Sequence, residues 1–307
     1  MQETFITTVN QILMMFTFMV IGYFVRKKGI GGPSVSEVLS ALIVNFFLPA
    51  MTYLTFAEHF HIETMSENAP FILAGCIVLF FTFFISKMFA KMFAENNLQE
   101  DVYMYSFLIP NIGYMGWPLV GAVFGSDMLY KMMMFSIPFL VVIYTYGIYI
   151  LNPKRQFTLK KILNPSMVAM AIGMVVGLFS IKLPGFLQQT IEASKGCMSP
   201  CAMILTGFIL GGVDIGDLLT KPKFYLAALI RAILIPGVVL AIMLLLKVDK
   251  TITIITGAML CMPMGLNSVV FPSAYGGDGT TGAKTTFVSN IISIVTIPLF
   301  FALLGAL

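Results

Sequence analysis

Apolar runs about twenty residues long follow one another along almost the whole chain, with only short polar intervals between them. No motif constrains the fold as strongly, because about 20 mostly apolar residues are what a helix needs to cross a bilayer. Charged residues are 10% of the 307, against roughly 25% in a soluble domain. The expected fold is an all-α polytopic membrane protein with ten transmembrane helices and no separate soluble domain. Hydropathy and breakers place the spans at Phe5–Val25, Ser34–Phe56, Ala69–Phe93, Asp101–Phe124, Met128–Leu151, Pro165–Ile181, Ile191–Val213, Phe224–Leu246, Thr251–Tyr275 and Thr281–Leu304. The first basic cluster, Arg26-Lys27-Lys28, follows the first run instead of preceding it, so that run reads as a membrane helix and not as a cleaved signal.

Basic residues give an orientation. Loops on one side hold twelve Lys and Arg, among them Arg26, Lys154, Arg155 and Lys284, and the other side holds five. Cytoplasmic loops carry the excess, so the stretch 152–164 is expected inside and both termini outside, in a cell membrane. The net charge of +4 reflects this bias and gives no reason to expect nucleic-acid binding. The four cysteines lie in apolar runs with no metal or disulfide spacing. No cofactor or metal is expected, and His59 and His61 read as residues of a solvated outer loop.

Two of the spans are broken. "LIPNIGYMGWPL" (108–119) puts two prolines, two glycines and an asparagine inside the fourth span, and "CMPMGLNSVVFPSAYGGD" (261–278) repeats the arrangement in the ninth. Pro110 and Pro263 are 153 residues apart, and the same offset carries Lys131 onto Lys284, Ser136 onto Ser289 and Tyr114 onto Asn267. The chain therefore divides into two five-helix repeats, 1–151 and 165–307, joined by a linker at 152–164. An odd number of spans per repeat inverts the second relative to the first, which is the signature of secondary transporters. Proline removes a backbone donor and clashes with the carbonyl four residues back. In lipid such freed groups are tolerated only under protein or in a watery cavity. The two breaks are expected to cross and to aim half-helix N-termini, with their partial positive charge, at one site. The alternative is a pair of ordinary proline kinks.

The chain resembles the auxin efflux carrier family, which includes the plant PIN-FORMED carriers and bacterial organic-acid permeases. The resemblance spans nearly the whole length and rests on "GYFVRKKG", "NFFLPA", "IPNIGYMGWPL" and "MPMGLNSVVFPSAYGGD", with Pro110-Asn111 its most specific piece. It implies a bile-acid-transporter-like fold in which the first, second, sixth and seventh spans form a scaffold carrying a homodimer contact. The other six spans would form a transport bundle that moves like an elevator. It also implies organic-anion substrates, carboxylates such as auxin-like or dicarboxylic acids. Met264 and Asn267 depart from the plant pattern and put auxin itself in doubt.

The candidate substrate-binding residues are Pro110, Asn111, Gly113, Tyr114, Pro263, Gly265, Asn267 and Thr52. Asn111 could donate to a carboxylate or cap the new half-helix. Gly113, Gly116 and Gly265 could admit close backbone approach or serve helix packing. Thr52 could line the site or bond back to its own helix, and Asn45 needs a partner. Met262, Met264, Trp117 and Tyr114 could form an adaptable apolar wall or pack between helices. Intramembrane charge marks function by default. Asp127 and Lys131, four apart, read as an ion pair; with Asp214 and Lys284 they are candidates for ion or proton coupling, against interfacial snorkelling or capping. Asp278 and Lys284 echo the Asp127–Lys131 pair. Arg231 could pair with Asp214 or Asp217. The sequence lacks the Gly-x-Ser-x-Gly and His-Glu-x-x-His patterns of hydrolases. An anion channel or a sensor on a transporter fold remains as the alternative to a carrier.

Overall fold

The computed structural model describes residues 2–32, 34–62, 65–155, 165–212, 221–275 and 279–307. Twelve helices account for nearly all of them: α1 (Gln2–Lys27), α2 (Ser34–His59), α3 (Met65–Phe93), α4 (Asn97–Leu108), α5 (Ile112–Phe124), α6 (Ser126–Leu151), α7 (Pro165–Leu178), α8 (Gly185–Leu210), α9 (Pro222–Leu245), α10 (Lys250–Leu260), α11 (Asn267–Tyr275) and α12 (Gly279–Ala306). Seven of them are long and apolar enough to cross a membrane, and α5, α7 and α10 are shorter apolar helices. Among the described residues there is no strand.

The expected fourth span is α4 and α5, separated at Ile109-Pro110-Asn111, and the expected ninth is α10 and α11, separated between Cys261 and Leu266. The seventh span differs most from expectation. It begins at Gly185, six residues before Ile191, directly after Pro184. The polar residues that hid this start sit exposed on its first turns, where Gln188 donates to Glu192 at 2.9 Å.

The helices sort by packing. α1 lies along α8, and α2 lies along α7 and touches α8. The α1–α8 contact is close enough that a Cβ on Gly22 would sit 2.1 Å from the Ile204 carbonyl oxygen, so small residues at this seam permit the approach. A second group joins α3 to α4 and α6, and α12 to α9 and α11. Its outer faces are apolar and exposed, as in the stripe Leu73, Ile77, Phe80, Phe84 and Met88 on α3. The inner face of α12 is instead a buried polar stripe of Thr285, Ser289, Ser293 and Thr296.

Four turns widen to π-helical geometry: Ile43–Phe47, Ile112–Gly116, Ile143–Gly147 and Ile230–Leu234. Three of them end two residues before a proline, at Pro49, Pro118 and Pro236. Each proline lacks the N–H that would bond four residues back, at Asn45, Tyr114 and Ala232, and its ring crowds that carbonyl. The turn opens by one residue in response. Such π turns gather at functional sites, and here three of the four supply the wall of one cavity.

Candidate functional site

The two breaks meet. Pro110 and Met264 form an isolated antiparallel bridge. The Asn111 N–H donates to the Pro263 carbonyl at 2.8 Å, and the Gly265 N–H donates to the Ile109 carbonyl at 3.1 Å. These bonds satisfy backbone groups at the two interruptions, so neither break is an ordinary kink. Gly265 has to be small: a Cβ there would lie 3.0 Å from the Ile109 carbonyl oxygen.

Asn111 sits at φ −74°, ψ 66°, the inverse γ-turn geometry, with the Ile112 N–H returning to the Pro110 carbonyl at 2.8 Å. α5 then starts, and its first N–H groups have no preceding turn to bond to. The Asn111 side chain does not cap them. It is 2% exposed, yet neither its Nδ2 nor its Oδ1 has a hydrogen-bond partner.

Asn111 belongs to the lining of a cavity of about 100 Å³. One wall is Leu48, Thr52 and Phe56 of α2 with Ser166, Met167 and Met170 of α7. The opposite wall is Tyr105, the Pro110–Tyr114 segment, Trp117, Met133, Tyr144 and Gly265 to Asn267. Among the described residues, no charged side chain contributes to the lining. The buried Trp117 indole N–H has no acceptor. The Tyr105 hydroxyl lies beside the Asn267 side chain without completing a hydrogen bond. The cavity is thus an apolar chamber with a few unspent polar groups, mostly donors, at the crossing.

Polytopic helices, a crossing of broken ends and a cavity at that crossing suit a carrier. The family described as "Membrane transport protein" matches the sequence over residues 7–159 and 154–301. The chain belongs to this auxin efflux carrier-like family of membrane transporters. It is also similar to the uncharacterized transporter YfdV of Escherichia coli strain K12, at 20% identity over 95% of this chain and 96% of the relative. The YfdV proteins of Escherichia coli O157:H7 and Shigella flexneri match to the same extent. It is a multi-pass membrane protein of a transporter family, and none of these findings suggests an enzyme.

Of the expected site residues in this transporter, Thr52, Pro110, Asn111, Gly113, Tyr114, Gly265 and Asn267 line the cavity. Pro263 stands behind it and holds Asn111 through its carbonyl. The Thr52 hydroxyl bonds back to the Leu48 carbonyl at 2.9 Å. Asn45 does likewise to Ala41 at 2.8 Å, on an exposed face. Trp117 and Tyr114 belong to the wall, whereas Met262 and Met264 are absent from it and Met133, Met167 and Met170 take that place. A Cβ added to Gly113 would make only ordinary contact with Leu48 at 3.7 Å, so close approach does not require a glycine there.

The coupling candidates lie elsewhere. Asp127 and Lys131 form the expected ion pair at 2.7 Å, in a separate cavity of about 110 Å³ with Glu58, His59, His61, Asn68 and Tyr130. There His59 stacks on Tyr130 at 5.6 Å, and Tyr130 donates to Asn68 at 2.9 Å. His61 lies between the Gly177 and Glu58 carbonyls at 3.0 and 2.9 Å. Lys284 is half-buried on α12 and is not part of the cavity lining. Asp214, Asp217 and Asp278 fall outside the described residues. Sequence reasoning missed Tyr105, Tyr144 and Ser166. Tyr144 had a signal in the apolar "IYTYG", a π turn without its own proline, and Ser166 follows Pro165 at the start of α7.

Proposed function

We propose that this protein is a secondary carrier for small organic anions, binding the carboxylate at the crossing of the two broken helices. The observation that carries the reading is Asn111, a residue of the cavity lining whose buried side-chain amide has both polar atoms unspent. A buried polar group left unpaired costs about 1–3 kcal/mol, and a ligand that accepts its N–H groups recovers that cost. The Trp117 N–H and the start of α5 add further donors on the same side. A cation would face these donors and a half-helix N-terminus with no carboxylate in the lining.

The lining also bounds the substrate. Ligand pockets for drug-sized molecules run to about 300–1,000 Å³, so a cavity of about 100 Å³ suits a compact acid. With no Lys or Arg in the wall, a second carboxylate would be buried unpaired. A monocarboxylate with a short apolar body fits better than a dicarboxylate.

The cavity lies between α2 and α7 on one side and the crossing on the other. This supports the arrangement in which α1, α2, α7 and α8 are a scaffold, with a homodimer contact, and the remaining helices move against it as an elevator. Ten spans in two inverted repeats and outward termini complete the proposal, supported by the 153-residue offset and the charge asymmetry. Two measurements test it. Cysteines replacing Ile62 and Lys154, in a background without native cysteines, should label from opposite sides of the membrane. In proteoliposomes, uptake of a labelled short-chain carboxylate should saturate and show counterflow, with its amide excluded. Equal entry of acid and amide removes the anion reading. Non-saturating flux would favour an anion channel.

A further inference from the structure

α10 stops inside the protein, and the last carbonyls of a helix have no partners within it. Here each of the last four is satisfied. The Gly257 carbonyl accepts the Cys261 N–H at 3.0 Å, the Ala258 carbonyl accepts the Cys261 thiol at 3.4 Å, and the Met259 carbonyl accepts the Met262 N–H at 3.3 Å. The Leu260 carbonyl, nearest the break, accepts Arg231 Nη1 at 2.7 Å. Arg231 is 0% exposed, on the π turn of α9 that Pro236 opens. Its Nε and Nη2 have no hydrogen-bond partner, and no acidic group pairs with it among the described residues.

A buried charge with one hydrogen bond is costly in a membrane bundle, and such residues mark function. An arginine retained only for packing would be replaced by an apolar side chain of like volume without loss. The negative end of the half-helix dipole supplies the compensation in place of a carboxylate. In transporters with broken helices, unwound carbonyls and half-helix C-terminal ends are where coupling cations bind.

We propose that Arg231 is a built-in cation that holds the end of α10, and so the second break, in place of a bound sodium ion. The position 153 residues earlier is Val78, so the first break has no such group. Arg231 acts here as a positioning residue. The inference concerns the frame of the crossing and stands whether or not the cavity takes a carboxylate.

The test is the thermal unfolding of the purified full-length protein without substrate, in sodium chloride and in choline chloride of equal ionic strength. The wild-type midpoint should be the same in both salts. Arg231→Ala should unfold lower by on the order of 5 °C. Millimolar guanidinium or methylguanidinium, or sodium, should restore part of the loss, and choline should not. Arg231→Lys should keep most of the stability, whereas Arg231→Met should lose it without rescue. A saturable sodium-dependent rise of the wild-type midpoint would overturn the proposal. So would an Arg231→Ala protein that guanidinium leaves unmoved, or an Arg231→Met protein as stable as wild type. Should Arg231→Ala fail to accumulate, the Lys and Met variants decide alone, and equal stability of those two refutes the assignment.

Discussion

The two breaks share a sequence pattern and differ in what they do with their polar groups. At the second, side chains from neighbouring helices hold the backbone: Ser289 accepts the Met264 N–H at 3.0 Å, and Arg231 takes the Leu260 carbonyl. At the first, the residue 153 positions before Ser289 is Ser136, which bonds within its own helix to the Met132 carbonyl at 2.6 Å. There the Asn111 N–H turns to Pro263, and the Asn111 side-chain amide has no hydrogen-bond partner. One break is held by side chains of neighbouring helices, and the other keeps an unpaired side-chain amide. The two breaks differ in what their polar side chains bond to, around one shared backbone crossing.

The largest expected effect breaks both at once. Gly265→Val puts branched carbon where the Ile109 carbonyl already lies 3.0 Å from an added Cβ, so one backbone must move. Overpacking of this kind costs about 1–3 kcal/mol or more. Gly113→Ala, with 3.7 Å of clearance to a Leu48 methyl, should unfold within a degree or two of wild type. Thermal denaturation of both variants separates a glycine the crossing requires from one it does not.

The serine pair sharpens the contrast. Ser289→Ala leaves the buried Met264 N–H without its acceptor and should cost about 1–3 kcal/mol. Ser136→Ala removes only a back-bond within α6 and a contact to the Met259 sulfur at 3.7 Å, and should cost less than about 1 kcal/mol. Equal losses in the two unfolding curves would erase the distinction between the breaks.

A smaller effect concerns the contact between the two halves outside the crossing. Glu95, in the α3–α4 loop, pairs with Lys223 at the start of α9, and that lysine holds the Glu95 carboxyl below its ordinary value. A depressed carboxylate stabilises above its unfolded pKa and loses that contribution as pH falls through its folded one. The pair is exposed, so the effect is slight and screened by salt. The midpoint difference between wild type and Glu95→Gln should vanish in acid and at high ionic strength.

Much of this arrangement was legible in the sequence, and the rest was hidden for physical reasons. The breaks were readable because proline cannot continue a backbone ladder, and the crossing because lipid forbids unpaired backbone. The cavity walls were not. Helices that are apolar all round give no periodic signal of which face is buried, so Met133, Met167 and Met170 were indistinguishable from Met262 and Met264. Tyr105 and Tyr144 read as ordinary membrane aromatics. Arg231 was expected to seek a carboxylate, and the acceptor it found is a backbone carbonyl that no side-chain pattern records.

The central claim is that the first break holds a ligand through Asn111. Isothermal titration of the purified protein with short-chain carboxylic acids and their matched amides tests it, with Asn111→Leu beside wild type. Wild type should bind an acid and not its amide. Asn111→Leu should bind that acid about ten- to a hundredfold more weakly, the loss of a charge-assisted hydrogen bond of about 1.5–3 kcal/mol. The same variant should unfold no lower than wild type, because it removes a buried amide that has no partner. Unchanged affinity in a folded Asn111→Leu protein, or equal binding of acid and amide by wild type, would contradict the account.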